Sequence, residues 1–442
     1  MRPNRGKKAF GSKRVLLLFG ASAIISIASL LIHNHQLVRY AYSQTTMVLV
    51  EQPFLPKPEG LEHSNFTFPS VQDRVRYYMG SWYDNNHDDH YYNGTPAINH
   101  YVCRDIPVFS PENKRPINDQ PFMFDETTLR TMRLKRWTNL ETSTYEHDSL
   151  KYFYWDPTNN NNSSRGITRT SRHDKNHKGK GRRIIFQYGD GMVSGLQTQH
   201  PIMVKARNAA ATSTSDNSTN DDRKPTAIIP ILALINEYRH YGGMSGVRQY
   251  FPWEEKKDVV VFRGVSTGNR LGRLRPFIAA SHSKGGDSAT DYDFAFTKII
   301  QKQIPVNDTA NLMGHLLTSK ELTRYKYLLV LPGNDVSSGL KWMLYSDSVV
   351  IMPHPQKVSW AMEDQLVPYV HYIPVQEDLS DLQSQLQWAR EHDELCRDIS
   401  KHATQYMIHL YVSQKAQEDN NEIRHLIAER YQILYGPIID QC

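Results

Sequence analysis

Several residues stand where chemistry would need them. Asp190 follows the apolar run Ile184-Ile185-Phe186-Gln187-Tyr188 and lies between Gly189 and Gly191. A carboxylate at a strand end, flanked by glycines that leave its approach open, suits a general base for a hydroxyl proton, although many aspartates in such turns only shape the turn. Arg263 directly follows Asp258-Val259-Val260-Val261-Phe262 and precedes Gly264, so its guanidinium can reach an anion without crowding. Gly333-Asn334-Asp335-Val336-Ser337-Ser338-Gly339-Leu340-Lys341 joins an apolar run to a helical one. Small residues there let backbone N–H groups approach a diphosphate, with Lys341 one turn into the helix. The segment matches neither the P-loop nor the G-x-G-x-x-G pattern.

Other constellations compete. Gly264-Val265-Ser266-Thr267-Gly268 fits G-x-S-x-G, the nucleophile elbow of α/β-hydrolases, and Asp347 and His371 follow in hydrolase order. No HGGG-type oxyanion segment accompanies it. Asp291-Tyr292-Asp293 has the D-x-D spacing that can hold a metal with a nucleotide sugar, yet acids at a helix-like start are the plainer explanation. Glu363, near the third apolar run of the C-terminal half, is by itself a surface acid.

The elements that must position these residues alternate. Asp258–Phe262, Tyr327–Leu331, Val349–Met352 and His371–Val375 read as strands, with Ile184–Tyr188 and Ile202–Val204 upstream. Helices are expected at Leu340–Tyr345, at Trp360–Leu366, after Asp378 with Leu382, Leu386 and Ala389 inward, and at the C-terminus with Ile423, Leu426, Ile427, Tyr431 and Leu434 on one face. Apolar strands alternating with helices imply an α/β fold with a parallel sheet and crossovers, in which ligands sit outside the carboxyl ends of the strands. Residues 45–180 show weak periodicity. Two stretches, Pro157–Lys180 and Ala209–Lys224, are too polar to bury a core and read as disordered insertions.

The chain has 442 residues, with 52 Lys and Arg against 46 Asp and Glu. Six of the cations fall in the first fourteen residues, which hold no acid, so the remainder balances. A nucleic-acid binder would carry its basic excess on the folded body, and that class is set aside. Val15–Ile32 is uncharged and near the length that spans a bilayer. The cations before it predict a type II anchor with a lumenal body. A signal peptide cleaved near Ala41-Tyr42-Ser43 competes, but the apolar run is long for one. The sequons at Asn65, Asn93, Asn217 and Asn307, with Asn161 and Asn162, fit a secretory route. Cys103, Cys396 and Cys442 form neither a disulfide framework nor a zinc spacing.

The C-terminal half resembles glycosyltransferase family 90, which includes Rumi-type protein O-glucosyltransferases, fungal capsule xylosyltransferases and bacterial lipopolysaccharide-modifying enzymes. The resemblance rests on Trp253-Glu254-Glu255-Lys256-Lys257, Phe262-Arg263-Gly264 to Thr267-Gly268, Lys326-Tyr327-Leu328-Leu329 and Gly333-Asn334-Asp335-Val336 to Lys341-Trp342. It continues through Ser346–Met352, Ser359-Trp360 with Glu363, and Pro368–Val375, and it spans about Ile184 to Met407. The Gly-Asn-Asp-Val form is nearer the bacterial version of the loop. The resemblance implies a GT-B architecture of two Rossmann-type domains facing a cleft, no essential metal or cofactor, and an inverting base in the N-terminal domain, matched by Asp190. It implies a UDP-sugar donor held by Arg263, a following arginine (Arg270, Arg273 or Arg275, with Arg273 taken), Gly333, Asn334, Asp335, Val336, Ser337, Lys341 and Glu363, the last on the ribose. The acceptor would be a hydroxyl of a protein or glycan. Animal members carry arginine where this chain has Gly339.

The expected organisation is a basic tail 1–14, an anchor 15–32, a lumenal stem and poorly readable region 33–182, an acceptor and base portion 183–248, a nucleotide-sugar domain 249–415 and a terminal helix 416–442. A serine esterase using Ser266, or a catalytically inactive lumenal binder of the same fold, are the alternative functions.

Overall fold

The structure is a computed structural model. It describes residues 66–83, 106, 121–125, 148–149, 151–153, 182–189, 201–209, 230–244, 247, 251–268, 270–283, 291–300 and 310–439. All of them lie in the unit Pro58–Cys442. The expected anchor, the six sequons, Asp190, the insertion Pro157–Lys180 and all but the first residue of the insertion Ala209–Lys224 lie outside the described residues. Among the described residues no helix is long and apolar enough to cross a membrane.

In chain order the elements are α1 (Val71–Met79), β1 (Pro121–Asp125), β2 (Arg183–Gln187), β3 (Met203–Val204), β4 (Ala206–Asn208), β5 (Ile231–Leu232), α2 (Glu237–Tyr241), β6 (Lys257–Val265), α3 (Arg270–Ser283), β7 (Tyr292–Lys298), α4 (Ser319–Leu322), β8 (Tyr325–Leu329), α5 (Leu340–Tyr345), β9 (Val349–Pro353), β10 (Lys357–Ser359), β11 (Ile373–Val375), α6 (Leu382–Glu391), α7 (Asp393–Met407) and α8 (Gln414–Ile439).

The second sheet has the order β11-β9-β8-β6-β7, and all its pairs are parallel. Its strands read as unbroken apolar runs because both faces are covered. In β9, Val349 and Ile351 join one core with Leu271, Leu274 and Ile278 of α3 and Leu382, Leu386 and Ala389 of α6. Val350 and Met352 point the other way, into the core that includes Leu340 and Leu344 of α5. Fully burying each such Leu or Ile stabilises the fold by roughly 1.5–3 kcal/mol.

The first sheet has the order β1-β2-β3-β5. β2, β3 and β5 are parallel, with Gln187 opposite Val204 and Val204 opposite Leu232. β1 runs antiparallel to β2. Both β1 and α1 come from the region that reads poorly as sequence. The helix α8 covers this sheet: Ile423, Ile427, Tyr431 and Tyr435 are buried at four-residue spacing. The Tyr431 hydroxyl accepts from the Ile185 N–H at 3.2 Å, and Tyr435 donates to the Trp82 carbonyl at 2.8 Å. A two-stranded antiparallel ribbon, β4 with β10, ties the segment after β3 to the segment after β9.

Four local expectations are corrected. Trp360–Leu366 is not a helix: Met362 is left-handed at φ 51°, and only Glu363–Gln365 forms a 3-10 turn. The strand expected from His371 begins at Ile373, because residues before it turn back through Tyr369, also left-handed at φ 58°. Asp378 does not cap the next helix. It accepts from the Ser380 N–H, and Asp381 holds the N-cap position of α6. Asp291-Tyr292-Asp293 opens a strand, not a helix.

Candidate functional site

The strands β6 and β8 end side by side, and the turns that follow them interlock. Gly268 is left-handed at φ 66°, and a Cβ there would meet the Gly333 carbonyl oxygen at 2.7 Å. A Cβ on Gly333 would in turn lie 3.2 Å from Thr267 Oγ1 and 3.5 Å from the Arg270 guanidinium. Glycine is thus needed at Gly268, for its φ and for close backbone approach, while at Gly333 a side chain would press on Thr267. The two segments that the sequence nominated from strand-end position meet directly.

Arg270 sits behind this junction. Its Nε donates to the Pro332 carbonyl at 3.0 Å and its terminal nitrogens to the carbonyls of Val265 and Leu331 at 3.2 and 2.5 Å. Three of its five N–H groups are used. Among the described residues no carboxylate lies within 4 Å of it. Burial first, then the neighbouring Arg273, pull its pKa down to about 10. It is a buried cation at the carboxyl edge, held by three carbonyls, with Asp335 as the acid whose charge favours it.

Arg263 goes elsewhere. Side chains alternate along β6. Phe262 and Gly264 face Arg270, whose guanidinium lies 5.9 Å from the Phe262 ring centroid. Arg263 faces the opposite side, where it donates to Asp293 Oδ1 at 2.6 Å and to the carbonyls of Asp293 and His315. Arg273 is paired with Glu377 at 2.5 Å. Of the arginines considered, Arg270 meets the loop.

The loop itself is anchored from both sides. Asp335 is buried, and Lys205, just after β3, lies 2.6 Å from its Oδ2. The Asn334 carbonyl accepts from Lys357 Nζ at 2.6 Å. Val336 is buried, while Gly333, Ser337, Ser338 and Gly339 are half-buried and Asn334 is exposed. A Cβ at Gly339 would already touch Met343 and Trp342 at 3.3 and 3.4 Å.

Lys341 and Glu363 do not face the loop's open side. Both are fully buried, and Lys341 Nζ lies 2.6 Å from Glu363 Oε1. The same carboxylate accepts from the Ser359 N–H at 2.6 Å and the Ser359 hydroxyl at 2.7 Å. The expectations that Lys341 meets a diphosphate and Glu363 a ribose are corrected accordingly: each is consumed by the other, because an unpaired charge would be too costly at that depth.

The hydrolase constellation is not assembled. Ser266 is buried; its hydroxyl donates to the Ile300 carbonyl at 2.7 Å and accepts from the Ile300 N–H at 2.9 Å. It staples the end of β6 to the end of β7. His371 Nδ1 accepts from the Val367 N–H at 2.9 Å, and burial then His402 push its pKa down to about 4. The D-x-D carboxylates part company: Asp291 pairs with Arg390 at 2.9 Å, Asp293 with Arg263 and with the Tyr325 hydroxyl. Among the described residues no cluster of His, Cys, Asp and Glu is arranged to hold a metal.

At the first sheet, β2 ends at Gln187 beside the ends of β3 and β5, and the chain continues through Tyr188 and Gly189. Asp190 is outside the described residues. A small cavity lies at this edge, lined by Lys205, Ala233 to Ile235, His240, Tyr241, Ser359 and Trp360. Lys205 links it to Asp335, and Ser359 links it to Glu363. His240 and Tyr241 have no partner in any motif of the sequence and were missed by it. Their only sequence signal is position, just beyond β5.

Comparison with known proteins gives the context of this edge. Residues 241–416 match the model described as glycosyl transferase family 90. O-glucosyltransferase LpsA of Dichelobacter nodosus is 37% identical over 91 residues, covering 21% of this chain and 29% of that protein. Protein O-glucosyltransferase 1 of Rattus norvegicus is 29% identical over 164 residues, covering 36% of this chain and 38% of that protein. Protein O-glucosyltransferase 2 of Danio rerio is 37% identical over 83 residues, covering 19% and 16%. The chain therefore spans well under half the length of these relatives. The matched region contains β6, the interlocked turns, the loop and the ion pair beneath it, so these features lie in the part of the chain that is similar to glycosyl transferase family 90.

Proposed function

We propose that the chain is an inverting glycosyltransferase that moves a sugar, glucose or xylose, from a UDP-linked donor to a hydroxyl of a protein or glycan. The observation that carries this reading is the carboxyl edge of the second sheet. There the Gly268 and Gly333 turns lock together over Arg270, a buried cation lacking a carboxylate within 4 Å among the described residues. A diphosphate is the complementary charge. It would take the remaining guanidinium N–H groups and the backbone of Gly333 to Ser337.

The two sheets fit the two halves of a GT-B cleft. In the proposed reaction Asp190, beyond the end of β2, takes the proton of the acceptor hydroxyl. The oxygen attacks the anomeric carbon from the face opposite the nucleotide. The bond to the diphosphate oxygen breaks and its electron pair leaves with UDP. Arg270 stabilises the charge that develops there, which is the usual source of large rate effects in such sites. The anchor at Val15–Ile32 would hold this body on the lumenal side of a Golgi or endoplasmic reticulum membrane. Resistance to carbonate extraction supports that placement, and a soluble product beginning near Gln44 rejects it.

The test of the activity is ligand-dependent stability of the full chain. UDP in large excess should raise the thermal midpoint in the presence of chelator, since a ligand that binds only the folded state stabilises it by about 2.7 kcal/mol at a hundred times its Kd. No shift with UDP or with UDP-sugars would refute the donor assignment.

A further inference from the structure

The cavity at the edge of the first sheet holds polar atoms that no hydrogen bond among the described residues uses. His240, on α2, is 6% exposed, and neither Nδ1 nor Nε2 meets a hydrogen-bond partner among the described residues. The Tyr241 hydroxyl beside it is likewise buried and unpartnered. Folding has therefore desolvated both faces of an imidazole without replacing either hydrogen bond, an arrangement native proteins rarely keep without a reason. Both residues line a cavity of about 10 Å³, room for a single hydroxyl or water.

The other walls are already committed. Lys205 is paired with Asp335, and the Ser359 hydroxyl is bonded to Glu363, which also neutralises Lys341. What the cavity leaves unmatched belongs to neutral groups. Burial, and then the charges of Lys341, Lys205 and Arg239, hold the His240 pKa well below its ordinary value, so the ring is uncharged. A neutral imidazole presents one N–H donor and one nitrogen acceptor. A phosphate or carboxylate can satisfy only the donor, and an ammonium only the acceptor. An alcohol hydroxyl can meet either nitrogen, accepting from the N–H or donating to the bare nitrogen.

We propose that His240 is the sugar-reading residue of this cleft: one of its ring nitrogens, which point away from each other, bonds a carbohydrate hydroxyl, with Tyr241 beside it. The proposal rests on the glycosyltransferase reading for its location, since Lys205 joins the cavity to the Asp335 loop. The hydroxyl can belong to the sugar of the donor or to a sugar of the acceptor.

Calorimetry on the full chain separates these sources. The ligands are UDP, UDP-glucose and UDP-xylose, and methyl β-D-glucopyranoside added to UDP-saturated protein. His240→Leu removes both nitrogens and His240→Gln restores a donor and an acceptor. The expected result is that His240→Leu binds UDP as the wild type does but loses tenfold or more on one sugar ligand, with His240→Gln recovering most of it. A loss on the UDP-sugars places the hydroxyl on the donor, and a loss on the glucoside places it on the acceptor. Equal binding of every ligand by wild type and His240→Leu would show that the nitrogens meet only water and would overturn the proposal. So would a wild type that gains nothing from any sugar. Failure of UDP itself to bind overturns the donor assignment instead, and glucoside binding to the nucleotide-free protein then decides His240. Should His240→Leu not fold, nitrogen-15 histidine spectra of the wild type take its place: the His240 ring signals must move with sugar and stay with UDP alone.

Discussion

Lys341 and Glu363, twenty-two residues apart, form an ion pair at 2.6 Å with neither side chain open to solvent. The lysine comes from α5, directly after the loop, and the glutamate from the 3-10 turn after β10. Their pairing holds the loop's exit against the Ser359 turn. Removing one partner leaves a charge buried alone, which typically costs about 3–5 kcal/mol. Lys341→Met should therefore lower stability to urea by that order. Lys341→Met combined with Glu363→Gln should recover part of it, because glutamine still accepts from the Ser359 N–H. A Lys341→Met protein of unchanged stability but lost UDP binding would return this lysine to the donor site.

The two arginines should separate cleanly. Arg270→Lys keeps the charge but cannot span the carbonyls of Val265, Leu331 and Pro332, and it should abolish or sharply reduce the UDP-dependent rise in thermal midpoint. Arg263→Met breaks the contact to Asp293 on the far face of β6, so it should lower the midpoint of the free protein while leaving the UDP increment in place. The opposite pattern in thermal unfolding would restore Arg263 as the donor arginine.

Ser266 and Asp190 distinguish transfer from hydrolysis. Ser266→Ala leaves the N–H and C=O of half-buried Ile300 without their shared partner, at a cost of about 1 kcal/mol, yet sugar transfer should persist. Asp190→Asn should bind UDP normally while transfer falls by about 10²–10⁴, the usual loss when a general base is removed. The glycoside formed from an α-linked donor should be β, read from its anomeric proton coupling. An α product, or full activity in Asp190→Asn, would show the base to be another residue.

His371 sets an acid limit on stability. Burial, and then His402, favour the neutral ring, whose Nδ1 accepts from the Val367 N–H, and its pKa falls to about 4 from an ordinary 6.5. Between those values the unfolded chain binds the extra proton. Stability is then full above pH 6.5 and declines as pH falls toward 4, by up to about 3 kcal/mol for a shift of this size. Urea unfolding of His371→Gln should show a shallower loss over the same window. An unchanged pH slope would assign the acid sensitivity to other groups.

The sequence by itself determined four of the five strands of the second sheet and the resemblance to family 90. Runs such as Val349–Met352 are apolar at every position, which only a strand covered on both faces tolerates, and the glycines at 268 and 333 announce turns at strand ends. Both signals are local, and both lie in the described residues as read. The sequence could not show which charged residues meet. Arg263 and Arg270 are each near the same strand end, but the parity of β6 turns Arg263 toward Asp293 while Arg270, at the start of α3, reaches Gly333, and which face the loop occupies depends on how α3 and α5 cover the sheet. Lys341 and Glu363 looked like site residues because both lie beside the loop; only packing shows that burial forces them together. The first sheet was the least legible. β1 and α1 sit in sequence rich in Tyr, Asn and His with little periodicity, and they are held by distant partners: β1 by β2, and α1 by the terminal helix. His240 carries no motif at all. Its significance comes from the desolvation of both ring nitrogens, a property of the folded cavity that no local pattern encodes.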